Sequence, residues 1–237
     1  MDYSVRGGLR DRHFFHQSSC GFTLIEMATV IAIMGLMIVS VLNGYELVLS
    51  TKVKKLCQEF RDVQIMVYGY QDKYRYLPGD DPRANTRFVG GQLATDVFAI
   101  GNGEIDGHWN SNDLGDESAL AWQHLRLSGL ASGAISFSNG ADMALYFPRN
   151  PDGGRIGLQS LMSFSSQGIT DGNLTGTMVI CSDRITGKVA RLLDIALDDG
   201  ETHSGTMRAI PSGSMPGLST ETSQLDNTAM YTVCLTF

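Results

Sequence analysis

Cysteine is scarce, with four residues among 237 and no Cys-x-x-Cys pair, so neither a disulfide-dense miniprotein nor a zinc knuckle or dithiol redox centre fits this chain. Proline is nearly as rare: six residues, the first at Pro78, leave the N-terminal third without a helix breaker. Positive charge is also in short supply. Eighteen Lys and Arg stand against 25 Asp and Glu, the formal charge is -7, and no dense basic run occurs, so nucleic acid is not an expected partner. Charged residues make up only 18% and hydrophobic ones 43%, which excludes both a disordered chain and, taken over its whole length, a polytopic membrane protein. The length allows one or two domains with a sizeable core, and 27 glycines point to many tight turns in the later part.

Against these scarcities stands one long apolar run, Phe22 to Leu42, FTLIEMATVIAIMGLMIVSVL, whose 21 residues carry a single charge at Glu26. At 1.5 Å per residue it reaches about 31 Å, enough to cross a hydrocarbon core. Arg6, Arg10 and Arg12 precede it against Asp2 and Asp11, favouring a cytoplasmic N-terminus, whereas Lys52, Lys54 and Lys55 on the far flank weigh the other way. A secretory signal peptide also has a basic start and an apolar stretch, but this run is longer than usual and lacks a small-x-small end. Glu26 argues against that reading too. A fully inserted carboxylate costs roughly 2.5 to 3.5 kcal/mol on insertion scales, which marks it as functional unless it snorkels to the headgroups.

Gly21-Phe22-Thr23-Leu24-Ile25-Glu26 in front of an unbroken apolar helix resembles the prepilin motif of type IV pilins and of type II secretion pseudopilins. The resemblance implies cleavage after Gly21 by a prepilin peptidase, methylation of the new amine on Phe22, and pairing of Glu26 with that amine on a neighbouring subunit. It also implies a subunit stored in the bacterial inner membrane, N-terminus cytoplasmic and head periplasmic. Other pilin or pseudopilin subunits, the inner-membrane assembly machinery and membrane lipid would be its partners in building a pilus or pseudopilus. Such pairing has physical sense, because an apolar interior tolerates a carboxylate only beside a cation. Removing residues 1–21 takes away three arginines and two aspartates and shifts the formal charge from -7 to -8.

Helical patterning continues from Phe22 to about Tyr74, with a weak point at Asn43-Gly44. Val53, Leu56, Phe60, Val63, Val67, Tyr70 and Tyr74 are spaced 3, 4, 3, 4, 3 and 4, one apolar stripe that expects a sheet or a partner helix, with a free coiled coil as the competing arrangement. Pro78 and Pro82 in Leu77-Pro78-Gly79-Asp80-Asp81-Pro82 close the helix, giving a leader over 1–21, a long helix over 22–76 and a soluble head over 77–237. Residues 83–116 read as loops and short strands. Helices are expected over Glu117–Leu130, with Leu120, Ala121, His124, Leu127 and Leu130 on one face, and over Lys188–Leu197, with Val189, Leu192, Leu193 and Ala196 inward. Met143–Phe147, Thr177–Cys181, Thr206–Ile210 and Tyr231–Phe237 read as strands. The sum is an α+β fold, a long helix packed on an antiparallel sheet. LPGDDP, GNGEIDG, AWQHL and LDDG also resemble segments of pilin-like proteins.

Cys181 and Cys234 both fall in expected strands of a head placed outside the cytoplasmic membrane, where oxidation is permitted; a disulfide between them is expected, two buried thiols being the alternative. Closing a loop of about 54 residues would contribute roughly 4 kcal/mol in the chain-entropy model. Cys57, beside the apolar stripe, reads as a small core residue.

No cofactor is required by this reading. Asn102-Gly103-Glu104-Ile105-Asp106-Gly107, followed by Asn110 and Asp113, approximates the oxygen-ligand spacing of a calcium loop, so calcium held by Glu104, Asp106 and Asp113 is a candidate; some pseudopilins bind calcium in the head. A Gly- and Asn-driven turn explains the same residues, and a helix-terminating turn explains Asp198-Asp199-Gly200. The sequence has no GxSxG, HExxH or Walker loop, and an enzyme is not expected. The adjacent acids Asp80–Asp81 and the pair Glu104 and Asp106 suit turns better than glycoside hydrolysis, and His108, His124 and His203 read as structural. From another class, an extracytoplasmic hydrolase or binding domain on an uncleaved signal anchor remains the alternative.

Overall fold

The computed structural model describes residues 21–96, 99–136, 145–166, 174–213 and 219–237. The apolar run and the stripe beyond it form one helix, α1, Leu24–Tyr74, unbroken at Gly44. Arg75 ends it: its backbone turns left-handed (φ 65°) while its N–H still donates to the Gln71 carbonyl at 2.8 Å, so the helix stops three residues before Pro78. The chain divides into two compact units, Met1–Glu46 and Leu47–Phe237, a boundary that falls inside α1.

In the first unit, Phe22 through Val41 are exposed on every side of the helix, among them Leu24, Ile31, Leu36, Met37 and Val41. Such a surface is long and apolar enough to cross a membrane. In the second unit the stripe is buried as spaced: Val53, Leu56, Phe60, Val63, Val67 and Tyr70 are all core, Tyr74 is packed against it, and Cys57 is buried beside them as a free thiol.

The second unit continues with α2 (Ala84–Arg87), α3 (Glu117–Leu127), β1 (Ile156–Ser160), α4 (Leu161–Ser166), β2 (Met178–Thr186), α5 (Gly187–Leu197), β3 (Met207–Pro211), a 3₁₀ turn (Thr222–Gln224) and β4 (Met230–Thr236). The strands form one antiparallel sheet in the order β1-β2-β4-β3. Alternation places Ile180, Val233, Leu235, Met207, Ala209 and Leu158 in the main core with the α1 stripe, Trp122, Val189 and Leu193. The other face is covered as well, by Trp109 and Phe164 over Val179, Cys181, Ile210 and Cys234. Cover on both faces explains why β2 opens with five consecutive buried residues and does not alternate with solvent. Cys181 lies directly across from Cys234 in the β2–β4 register, and the two form a disulfide.

Several sequence expectations are corrected. Residues 83–116 contain the short helix α2 and, among the described residues, no strand. Of the expected strand 143–147, residues 143 and 144 lie outside the described residues, while Leu145 and Tyr146 are helical. Helix α3 stops at Leu127, not Leu130, because Gly129 takes a left-handed turn and the Leu130 N–H returns to the Leu125 carbonyl. It is also no half-exposed helix. Every residue from Glu117 to Arg126 is buried, with Arg126 donating to the carbonyls of Ser132, Ala134 and Tyr146. In α5 the buried set is Gly187, Val189, Ala190, Leu193 and Asp194, so the inward face is rotated from the expected one and Ala196 is exposed.

Candidate functional site

At the start of α1, Thr23 and Glu26 bond reciprocally. The Glu26 N–H donates to Thr23 Oγ1, and the Thr23 N–H and hydroxyl both donate to Glu26 Oε2, each at 3.2 Å. This is a capping box, Ser/Thr-x-x-Glu, which satisfies backbone donors that a helix start leaves unpaired and places negative charge at the positive end of the dipole. Its sequence signature lies at the start of the apolar run, and it gives Glu26 a role inside its own chain besides the pairing that the resemblance implies. The box begins at Thr23, so Gly21 and Phe22, both exposed, lie outside it, and a cut between them would leave it whole.

In the second unit, two of the Gly-Asp segments meet. Asp80 is buried and accepts the N–H groups of Gly101, Asn102 and Gly103, pinning LPGDDP to GNGEIDG; burial nonetheless pushes its carboxyl up from the ordinary range. Asp81, also buried, accepts the Tyr70 hydroxyl at 2.8 Å and faces Arg87 Nε at 3.3 Å, tying the same turn to α1 and α2. His124 of α3 takes the Gly79 N–H on Nδ1 at 2.9 Å, which leaves Nε2 as the N–H donor to the Gln92 carbonyl at 2.8 Å; burial lowers its pKa and keeps it neutral. These contacts are structural anchoring of a turn.

The structure does not bring Glu104, Asp106 and Asp113 together as converging ligands. Asp106 accepts Asn102 Nδ2 and the Ser163 hydroxyl on its two oxygens, Asp113 Oδ1 accepts the Gly115 N–H, and Glu104 lines a cleft of about 450 Å³ with Tyr68, Leu161 and Met178. Asn102, first in the expected ligand order, turns its Oδ1 back to accept the Glu104 N–H. Among the described residues, the acidic group of three whose oxygens converge is Asp194, Asp198 and Asp199.

Glu117, at the start of α3, is the second buried acid not singled out by the sequence. Its Oε2 accepts the Asp106 N–H at 2.9 Å while Oε1 is buried without a hydrogen-bond partner among the described residues. Burial foremost, opposed by that N–H and reinforced by Asp80, Asp106 and Asp96, raises its carboxyl from 4.5 to about 7. The native state therefore keeps a proton that the unfolded chain releases near 4.5, so stability is expected to fall as pH rises between 4.5 and about 7 and to level off above. Thermal melts across that window should show a shallower decline for Glu117→Gln, not an abolished one, because Asp194 is raised in the same direction. An unchanged slope would place the titration elsewhere.

No family model matches the chain, and no curated protein or solved structure matches it.

Proposed function

We propose that the chain is a pilin-like structural subunit, cut after Gly21, methylated on Phe22 and assembled through its apolar helix into a type IV pilus or type II secretion pseudopilus. The observation that carries this reading is the start of α1. A Thr23–Glu26 capping box opens a helix whose next fifteen residues, Met27 to Val41, are exposed on all sides. Water does not support such a surface, whereas lipid before assembly and like helices after it both would. Cleavage after Gly21 would set the new amine on Phe22 one residue ahead of the cap, beside the Glu26 of a neighbour.

The disulfide supports a head outside the cytoplasm, since such bonds persist in oxidising compartments, and the arginines ahead of the helix support a cytoplasmic N-terminus in the inner membrane. The reading calls for a prepilin peptidase, an inner-membrane assembly machinery and other subunits as partners; it needs no catalytic residue, no cofactor and no nucleic acid. Calcium at Glu104, Asp106 and Asp113 is not part of it.

Intact-mass measurement and N-terminal sequencing of protein extracted from membranes test it. The expected product begins at Phe22 and carries one added methyl group. A chain that retains residues 1–21 would refute the proposal and support a signal anchor.

A further inference from the structure

Asp194 is fully buried, and neither of its carboxylate oxygens makes a well-formed hydrogen bond or an ion pair among the described residues; the Gly200 N–H is a minor influence that lowers its pKa against burial and the neighbouring acids. A solitary buried carboxylate is among the most costly groups a core can hold. Its position adds to the cost, for it lies in the last turn of α5, where the helix presents carbonyl oxygens and repels an anion. Asp198 and Asp199 follow directly after the helix, and one ligand oxygen from each of the three acids lies within 4.8 Å of the others.

The two later acids are held in place by the loop that leads into β3. Asp198 Oδ2 accepts the N–H groups of Thr206 at 2.6 Å and Met207 at 2.7 Å, and Gly205 (φ 63°) passes so close that a Cβ there would sit 2.2 Å from the same oxygen. Asp199 accepts the Glu201 N–H at 2.9 Å and the Ser204 hydroxyl at 2.7 Å. Arg208, the basic side chain of this loop's strand, directs Nη1 to the carbonyl oxygens of Ser204, Gly205 and Met207, and its charge favours the ionised form of Asp199. The loop thus orients two carboxylates toward a third that the protein leaves uncompensated.

We propose that Asp194, Asp198 and Asp199 bind a hard divalent cation at the junction of α5 and β3. The cation supplies the charge that Asp194 lacks. An all-oxygen set without His or Cys selects the calcium and magnesium class over zinc or copper. This inference does not depend on the pilin reading.

The test uses the full chain in detergent, stripped with a chelator, then titrated calorimetrically with calcium chloride and separately with magnesium chloride, with thermal melts alongside. Saturable binding of either ion is expected, with a rise of several degrees in melting temperature. Asp194→Asn should weaken binding at least tenfold, yet its metal-free form should melt no lower than the metal-free parent because it buries no charge. Asp199→Asn, at an exposed position, should also weaken binding at least tenfold; because the Asp199 carboxylate holds the Glu201 N–H and the Ser204 hydroxyl, the variant is compared with and without metal against its own melting temperature, and it carries the test if the first variant does not fold. Absence of binding up to about 10 mM of either ion, above the weakest extracellular calcium modules, would overturn the proposal. So would parental affinity in both variants.

Discussion

Glu26→Gln is expected to insert into membranes normally yet fail to enter filaments. Glutamine serves in a capping box as well as glutamate does, so the α1 start keeps its reciprocal bonds with Thr23. What it loses is the charge proposed to meet the Phe22 amine of a neighbour. Removing one partner of a buried ion pair typically costs about 3–5 kcal/mol, whereas losing a cap costs about 1 kcal/mol. Glu26→Ala removes both and Thr23→Ala disturbs only the cap, so the three variants separate the two roles. Immunoblots of sheared filaments against membrane fractions read them out. Full incorporation of Glu26→Gln with failure of Glu26→Ala would assign Glu26 to capping alone and remove the pairing role.

Gly79→Ala is expected to destabilise the head strongly. Gly79 has φ 95°, and a Cβ on it would lie 2.3 Å from the Glu117 carbonyl oxygen. Its N–H is also the donor that fixes His124. Gly90→Ala provides the control, since Gly90 has a similar φ of 83° with nothing within 4 Å of the added atom. Backbone strain alone should cost Gly90→Ala about 1–3 kcal/mol. The clash should add about 1–3 kcal/mol or more at Gly79. At about 2–4 °C per kcal/mol for a domain of this size, the melting temperature of Gly79→Ala should fall roughly 10 °C and that of the control by much less. Equal shifts would mean that the turn moves away from α3 at little cost.

The sequence was most legible where a single period ran long enough to be counted. The 3-4 spacing from Val53 to Tyr70 located the buried face of α1 because every fourth or third residue met the same core. Strands β2, β3 and β4 were visible as β-branched and apolar runs between glycines and turn residues. Strand β1 was not, for Ile156-Gly157-Leu158-Gln159-Ser160 is short and half polar. Its polar members are buried for a reason that only the fold displays: Gln159 Oε1 accepts the Trp109 N–H and Ser160 Oγ accepts the Ile105 N–H, while Gly157 admits the Trp109 backbone. Helix α3 misled differently, since Glu117, Gln123 and Arg126 look like a solvated face and are buried against backbone groups that they bond. At the candidate sites, the Thr23–Glu26 box was readable from spacing, whereas the convergence of Asp194 with Asp198 and Asp199 depended on the rotation of α5 about its axis.

The bond between Cys181 and Cys234 lies in the small cluster beneath Trp109 and Phe164, with both sulfurs' residues almost wholly enclosed. Once β2 and β4 have zipped and that lid has settled, an oxidoreductase has no path to either thiol. The linkage must therefore be made while the chain is still open, so the timing of oxidation relative to sheet closure, not the thiol chemistry of the folded sheet, governs whether the bond forms.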